Sequence, residues 1–274
     1  MMLLDLICFD CLKEQLDKGV PHKTEGTPIQ IPFEPVNNNG TYIVNCGFGH
    51  SSKTIINNID FEILFEYSIN AIADGYYREA VSSFASSMER YFEFFIKTIL
   101  RVSNNEFTEI DKIWKSIASQ SERQLGAYII LYSQTFSSEP SLLSSNKDVP
   151  FRNAVVHKGY LPTRAEAIDF GNVILCVIEN SLLNLKNKYP EKTTETFNYY
   201  GYKRAAENQI KKNDKATGEE ENFACVNILT TISVDVGREK NKEDVRNGDI
   251  EKQILKIVNQ RVPKNITMLK EEPK

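Results

Sequence analysis

The run PFRNAVVHKGYLPTRAEAIDFGNVILCVIE, residues 150–179, contains two helix signals separated by a break. Pro150 suits the first position of a helix, because the backbone N–H that proline lacks has no helical partner there. Gly159 suits the left-handed residue that follows a helix end. We therefore predict a short helix of about two turns that begins near Pro150, ends before Gly159 and carries Arg152 to His157.

A second helix is predicted after the break. Thr163, followed three residues later by Glu166, has the spacing of a capping box. The helix over 164–188 then carries a heptad stripe of Ile168, Gly171, Leu175, Ile178, Leu182 and Leu185. Cys176 falls outside this stripe, and we interpret it as a second buried or interface position.

Three polar side chains on the short helix suggest chemistry on a phosphodiester. Asn153 and His157 are i,i+4 neighbours and share a face, which the long side chain of Arg152 can also reach. An imidazole transfers protons near neutral pH, and a guanidinium binds phosphate oxygens. An amide can orient either the imidazole or the substrate. No carboxylate pair accompanies these residues, so the set needs no metal ion in principle.

Arg152-Asn153, followed after three residues by His157, resembles the signature of the HEPN superfamily of helical ribonucleases. The wider run around His-Lys-Gly is similar to bacterial members, and the resemblance covers roughly residues 60–188. It implies a homodimer in which two motif helices face each other, with Arg152, Asn153 and His157 as catalytic residues. It also implies RNA cleavage to 2′,3′-cyclic phosphate and 5′-hydroxyl ends, in a toxin or an antiviral defence effector. A protein partner that restrains or activates the enzyme is then expected.

Two other functions remain open at this stage. The same superfamily contains helical domains that bind nucleotides or partners without cutting. The main alternative is therefore a non-catalytic module in which the helical bundle dimerises and an N-terminal zinc ribbon, described below, is the recognition element. A zinc-ribbon regulator that binds DNA is a weaker one, because the net charge of −4 provides no general attraction to nucleic acid. A structural helix whose histidine is satisfied by a neighbour is the non-functional interpretation.

The N-terminal residues 1–58 predict a zinc ribbon. Cys8 and Cys11 form one pair of potential ligands, and Cys46 and His50 form another. Two such pairs make a tetrahedral structural site, which would supply stability that a segment this short lacks. We expect the segment between the pairs to form a β-hairpin across Asn37–Gly40. His22 is a weaker substitute for His50, and burial as small apolar residues is the alternative for the cysteines.

Composition is that of an ordinary globular chain of 274 residues. Its five cysteines form no even disulfide framework, which favours reduced thiols and a cytoplasmic protein. The N-terminus lacks the features of a secretion signal, and no apolar run approaches the ~20 residues of a membrane span, so no membrane association is expected.

Apolar periodicity predicts helices over about 60–75, 77–103, 106–118 and 121–136, in addition to the two already described. A serine-rich loop is expected over 137–149. The fold class is therefore mainly α, a HEPN-like up-and-down bundle over 59–188 preceded by a small β zinc ribbon. The i,i+4 series Glu89, Glu93 and Lys97 is interpreted as a solvated face.

Residues 189–274 form a C-terminal extension of unclear fold. Tyr189-Pro190 is expected to end the bundle, a strand is predicted within 223–237, and an amphipathic helix over 249–262. Tyr199, Tyr200 and Tyr202 stand beside the basic residues Lys203, Arg204, Lys211, Lys212 and Lys215. Aromatic and basic residues together can bind single-stranded RNA. A solvent-exposed helix is the favoured interpretation of that stretch.

Overall fold

The structure is a computed structural model that describes residues 3–17, 30–37, 40–213, 223–228, 230–234 and 250–261. These residues form nine helices and five short strands, which confirms the mainly α class with a small β region near the N-terminus. In chain order the elements are β1 Leu3–Ile7, α1 Phe9–Asp17, β2 Gln30–Pro35, β3 Thr41–Asn45, β4 Ser51–Ile56, α2 Asp60–Ala73, α3 Tyr77–Val102, α4 Phe107–Ile117, α5 Ser121–Phe136, α6 Asp148–Lys158, α7 Arg164–Lys188, α8 Pro190–Asn213, β5 Phe223–Val226 and α9 Ile250–Arg261.

Helix α3 lies at the centre of the helical region and contacts α2, α4, α5, α6, α7 and α8. Apolar side chains spaced three and four residues apart are buried along almost the whole helix, at Val81, Ala85, Met88, Phe92, Phe95 and Ile99. Aromatic rings from neighbouring helices complete this core. Phe61 of α2 meets Tyr91 edge to face with ring centroids 5.3 Å apart, and Tyr128 of α5 stacks on Phe92 at 4.2 Å.

The predicted solvated face of α3 is wrong for Lys97, which is only 7% exposed. Its Nζ lies 2.6 Å from Glu93 Oε1 and 4.0 Å from the ring centroid of Tyr200. Tyr200 in turn donates a hydrogen bond to Asp111 Oδ1 at 3.0 Å. Charges spaced i,i+4 do not reveal burial here, because it is α4 and α8 that cover this face.

Several predicted helix ends move by one or two residues. Helix α6 begins at Asp148, inside the predicted loop, because Asp148 Oδ2 accepts the backbone N–H of Ser144 and closes a turn there. Gly159 follows this helix with a φ of 73°, and Thr163 with Glu166 forms the predicted capping box. The bundle does not end at Tyr189-Pro190 as predicted, because α8 begins at Pro190 and packs on α3 and α7. Proline suits this first helical position, which requires no N–H donor.

Helix α7 is long and apolar enough to cross a membrane by length and composition, and half of its apolar window is buried within the protein. Leu175, Ile178, Leu182 and Leu185 on its stripe belong to the core that surrounds α3. This burial is what a core helix of a bundle requires. Cys176 is exposed on this helix, so its predicted burial within the chain is wrong.

The β region is paired differently from the predicted hairpin. Strand β2 pairs with β1, and β3 pairs with β4, both antiparallel. The hairpin therefore turns at Cys46–His50 instead of Asn37–Gly40. Gly49, with a φ of 87°, allows the chain to reverse within this short connection. Strand β5 adds to β4 in parallel, so the predicted C-terminal strand is confirmed.

Polar side chains of α2 and of the segment before it hold the C-terminal segment. Glu62 Oε1 accepts the N–H of Val234 at 2.7 Å, and Asn58 Oδ1 accepts the N–H of Ile228 at 2.7 Å. Glu66 Oε2 accepts the N–H of Thr231 at 2.9 Å. The described C-terminal residues consequently share the main core, through Phe197, Ile232, Val234, Ile250 and Ile254.

Stability should depend on the protonation of Glu62. Burial raises the pKa of this carboxyl to about 7, although hydrogen bonds from Val234, Asn58 and Ile59 oppose the shift. The folded protein therefore binds this proton more tightly than the unfolded chain, where the pKa of glutamate is about 4.3. The resulting stabilisation is complete below that value and is lost as the pH rises through about 7.

As the pH rises from acid to neutral, the free energy of unfolding of the wild type should decrease by roughly 3 kcal/mol more than that of Glu62→Gln. Denaturant unfolding across this range would measure the difference. Parallel pH profiles for the two proteins would contradict the assignment.

Candidate metal centre and candidate active site

The four predicted metal ligands come together in the N-terminal β region. Cys8 lies between β1 and α1, and Cys11 lies in the first turns of α1. Cys46 and His50 flank the turn that joins β3 to β4. The sulfur and nitrogen atoms of all four residues lie within 4.8 Å of one another, so this cluster could hold a metal ion such as zinc. His22 lies outside the described residues.

The spacing of these atoms suits tetrahedral coordination. Zinc bound at about 2.3 Å from sulfur and about 2.0–2.1 Å from nitrogen separates its ligand atoms by roughly 3.5–3.8 Å. Cys11 Sγ lies 3.6 Å from Cys46 Sγ and 3.2 Å from His50 Nδ1. Cys8 Sγ lies 3.9 Å from the same Nδ1. Three sulfurs and one imidazole are also the donor types that zinc prefers.

Thiols this close together affect one another's ionisation. Burial, and then hydrogen bonds with Cys46 and Cys8, raise the pKa of Cys11 to about 12. Burial also raises the pKa of Cys46, but hydrogen bonds from the backbone of Phe48 and His50 outweigh it and bring the pKa to about 7. Several thiolates cannot coexist here without a compensating positive charge. A bound divalent cation would provide that charge, and its binding would release the thiol protons.

A carboxylate missed by the sequence analysis stands beside the cluster. Glu14 Oε1 lies 3.1 Å from His50 Nε2. Glu14 follows Cys11 by three residues on α1, so both side chains lie along one side of this helix. This spacing is the only feature of the sequence that places Glu14 near the cluster, and it does not identify His50 as the partner of Glu14.

The candidate catalytic residues lie on α6, which packs on α3. Val155 is fully buried, and Phe151 anchors the other end of the helix against Phe170, with ring centroids 5.5 Å apart. His157 is exposed in the last turn, whereas Arg152 and Asn153 are half-buried. The structure thus places the three residues on one short, well-anchored surface helix.

These three side chains have no polar partner in the part of the chain that the structure describes. Within the described ranges of the chain, Arg152, Asn153 and His157 form neither a side-chain hydrogen bond nor an ion pair. The Nε atom of Arg152 is shielded from solvent and has no hydrogen-bond partner there. The non-functional interpretation, in which a neighbour satisfies the histidine, therefore receives no support from the described residues.

Two aromatic residues of α8, Tyr199 and Tyr200, lie against other parts of the bundle. Tyr199 stacks on Phe107 of α4 with ring centroids 3.8 Å apart, and Tyr200 covers Lys97. Both rings are engaged in packing α8 against the bundle. The basic side chains predicted beside them, Lys203, Arg204, Lys211, Lys212 and Lys215, lie outside the described side chains, as does Tyr202.

The zinc content should depend on the cysteines of the cluster and not on the two cysteines that lie outside it. We expect one zinc ion per chain, and loss of stoichiometric binding in Cys8→Ser, Cys11→Ser and Cys46→Ser. Cys176→Ser and Cys225→Ser are matched controls, because these two exposed thiols lie outside the cluster and should leave binding unchanged. Elemental analysis after dialysis would measure the content, and full zinc content in the cluster variants would contradict the site.

Comparisons of the chain with protein families, with curated proteins and with solved structures found no match. They add no support for the HEPN resemblance, which stays a prediction from residues 150–179.

Proposed function

We propose that this chain is an endoribonuclease of HEPN type that carries a structural zinc ion in its N-terminal β region. Arg152, Asn153 and His157 are its catalytic residues, and Cys8, Cys11, Cys46 and His50 hold the zinc. The reaction on RNA requires no metal ion. A role as a toxin or antiviral defence effector, in the cytoplasm, accompanies this proposal by resemblance alone.

The observation that carries the proposal is that the polar side chains of Arg152, Asn153 and His157 on α6 lack partners among the described residues. An arginine whose Nε is shielded from water normally has a carboxylate or carbonyl partner, since burying an unpaired donor is costly. Arg152 has no such partner among the described residues. A guanidinium that has no partner among the described residues, five residues before an exposed imidazole, supports a role in binding an anionic substrate.

The chemistry follows from these groups. The 2′-hydroxyl of RNA attacks the adjacent phosphorus in line, so the new 2′-O–P bond forms as the P–O5′ bond breaks. His157 accepts the hydroxyl proton or donates one to the leaving 5′-oxygen. Arg152 stabilises the charge that builds on the non-bridging oxygens, and Asn153 orients the reacting groups. The products are a 2′,3′-cyclic phosphate and a 5′-hydroxyl, and DNA is not cut because it lacks the attacking hydroxyl.

A single copy of α6 supplies one imidazole, whereas this reaction uses both a base and an acid. A homodimer with two α6 helices at its interface supplies both. Tyr160 and Leu161, directly after α6, are 44% and 75% exposed. Exposed apolar residues beside the candidate catalytic helix support a protein interface at this position.

Nuclease activity is tested with transfer RNA and mixed cellular RNA, using zinc-loaded protein in buffer free of other metals. We expect cleavage to cyclic-phosphate ends, with a decrease of about 10²–10⁴-fold in His157→Ala and of similar size in Arg152→Ala. Lys158→Ala is the matched control, because it removes an exposed charge next to His157 and should retain activity. End-group analysis of the fragments identifies the chemistry.

Equal activity in the wild type and in His157→Ala would show a contaminating nuclease and reject the assignment. Absence of cleavage, together with wild-type toxicity that His157→Ala abolishes on expression, would indicate an enzyme that a partner activates. Absence of both would favour the non-catalytic dimerisation or binding module.

The dimer is tested separately. Leu161→Glu should convert a dimer to a monomer, because a charge on an apolar interface must be desolvated. Sedimentation velocity would measure the mass of both proteins. Leu16→Glu is the control, since Leu16 on α1 is similarly exposed, at 67%, and lies far from α6 in sequence. A dimer that persists in Leu161→Glu would place the interface elsewhere.

A further inference from the structure

We infer that Glu14 is a positioning residue of the metal centre: its carboxylate holds the His50 imidazole so that Nδ1, and not Nε2, binds the metal ion. This inference rests on the proposed zinc site. It adds a residue to that site which the ligand spacing of the sequence does not indicate.

The two nitrogens of His50 face different partners. Nδ1 lies 3.2 Å from Cys11 Sγ and 3.9 Å from Cys8 Sγ, within the ligand cluster. Nε2 lies 3.1 Å from Glu14 Oε1. The ring therefore bridges the thiols on one side and a carboxylate on the other.

This arrangement determines which nitrogen carries the proton. A carboxylate accepts hydrogen bonds and does not donate them, so Nε2 must be the protonated nitrogen of the neutral ring. The lone pair on Nδ1 is then available and directed at the sulfurs. Carboxylates and carbonyls commonly hold metal-binding histidines in this way, and they fix both the tautomer and the ring orientation.

Glu14 is not itself a fifth ligand. It contacts the ring nitrogen that points away from the sulfurs, and it does not belong to the group of ligand atoms that lie within 4.8 Å of one another. Four donors already complete the tetrahedral set that structural zinc sites use.

Simple ion-pair stabilisation does not account for the contact. Glu14 is 54% exposed and His50 26% exposed, so solvent screens any direct attraction between them. The contact matters because α1 carries both Cys11 and Glu14, whereas His50 arrives from the β3–β4 turn. Helix α1 thus places Cys11 directly and orients His50 through Glu14.

The test measures zinc affinity by competition with a chromophoric chelator, using the full chain. We expect Glu14→Ala to bind zinc about 10–100-fold more weakly than the wild type. Glu14→Gln should lose less, because its amide oxygen still accepts the Nε2–H hydrogen bond. Asp17→Ala is the matched control on the same helix, exposed and outside the cluster, and should bind as the wild type does.

A second variant separates positioning from general support of α1. His50→Cys replaces the imidazole with a thiolate and leaves no ring to orient. In this background, Glu14→Ala should cause no further loss of affinity, because its effect acts through His50. A loss of the same size in both backgrounds would overturn the inference. The absorption spectrum of bound Co²⁺ would show in each variant whether the site remains tetrahedral.

The outcomes also distinguish this inference from the proposal on which it rests. If the wild type binds no zinc, the metal centre and the role of Glu14 both fail. If the wild type binds zinc and Glu14→Ala binds it equally well, the metal centre stands and the positioning role is rejected.

Discussion

Burial of α3 is the constraint on which the rest of the structure depends. A helix of 26 residues that contacts six others needs apolar side chains around most of its circumference, and most of the polar groups buried there need partners. Ser87 Oγ donates to the carbonyl of Phe61 at 2.7 Å, and Lys97 is paired with Glu93. The surrounding helices take their positions from this core. Helix α6 is one of them, so the candidate catalytic residues stand on a surface element with a rigid support.

The β region is joined to the bundle by more than chain connection. Only three residues separate β4 from α2, and β5 returns from the far end of the chain to pair with β4. Asn58 and Glu62, both buried, accept backbone N–H groups from the segment that follows β5. A metal ion bound at the candidate centre would stabilise the turn that precedes β4. Metal binding and the packing of the C-terminal segment would then act on the same strand.

Local patterns predicted the features that depend on near neighbours in sequence. The long amphipathic helices, the capping box at Thr163 and Glu166, and the helix end at Gly159 all follow from spacing and backbone preference within one or two turns. The four clustered residues were also predictable, because cysteine and histidine residues in two closely spaced pairs are typical of a metal site. The errors arose where a distant segment determines the outcome. Lys97 is buried by α4 and α8, and β2 pairs with β1 instead of β3.

The sequence by itself determined the mainly α class, the approximate ends of most helices, the ligand set of the candidate metal centre and the placement of Arg152, Asn153 and His157 on one helix. These properties are local, and they follow from helix periodicity and ligand spacing. Only the tertiary structure decided strand pairing, the burial of Lys97, the contact of Glu14 with His50 and the docking of the C-terminal segment on α2. Each of these joins residues through space, and the physical reason they escaped prediction is that residue type and spacing do not specify which distant surfaces will meet.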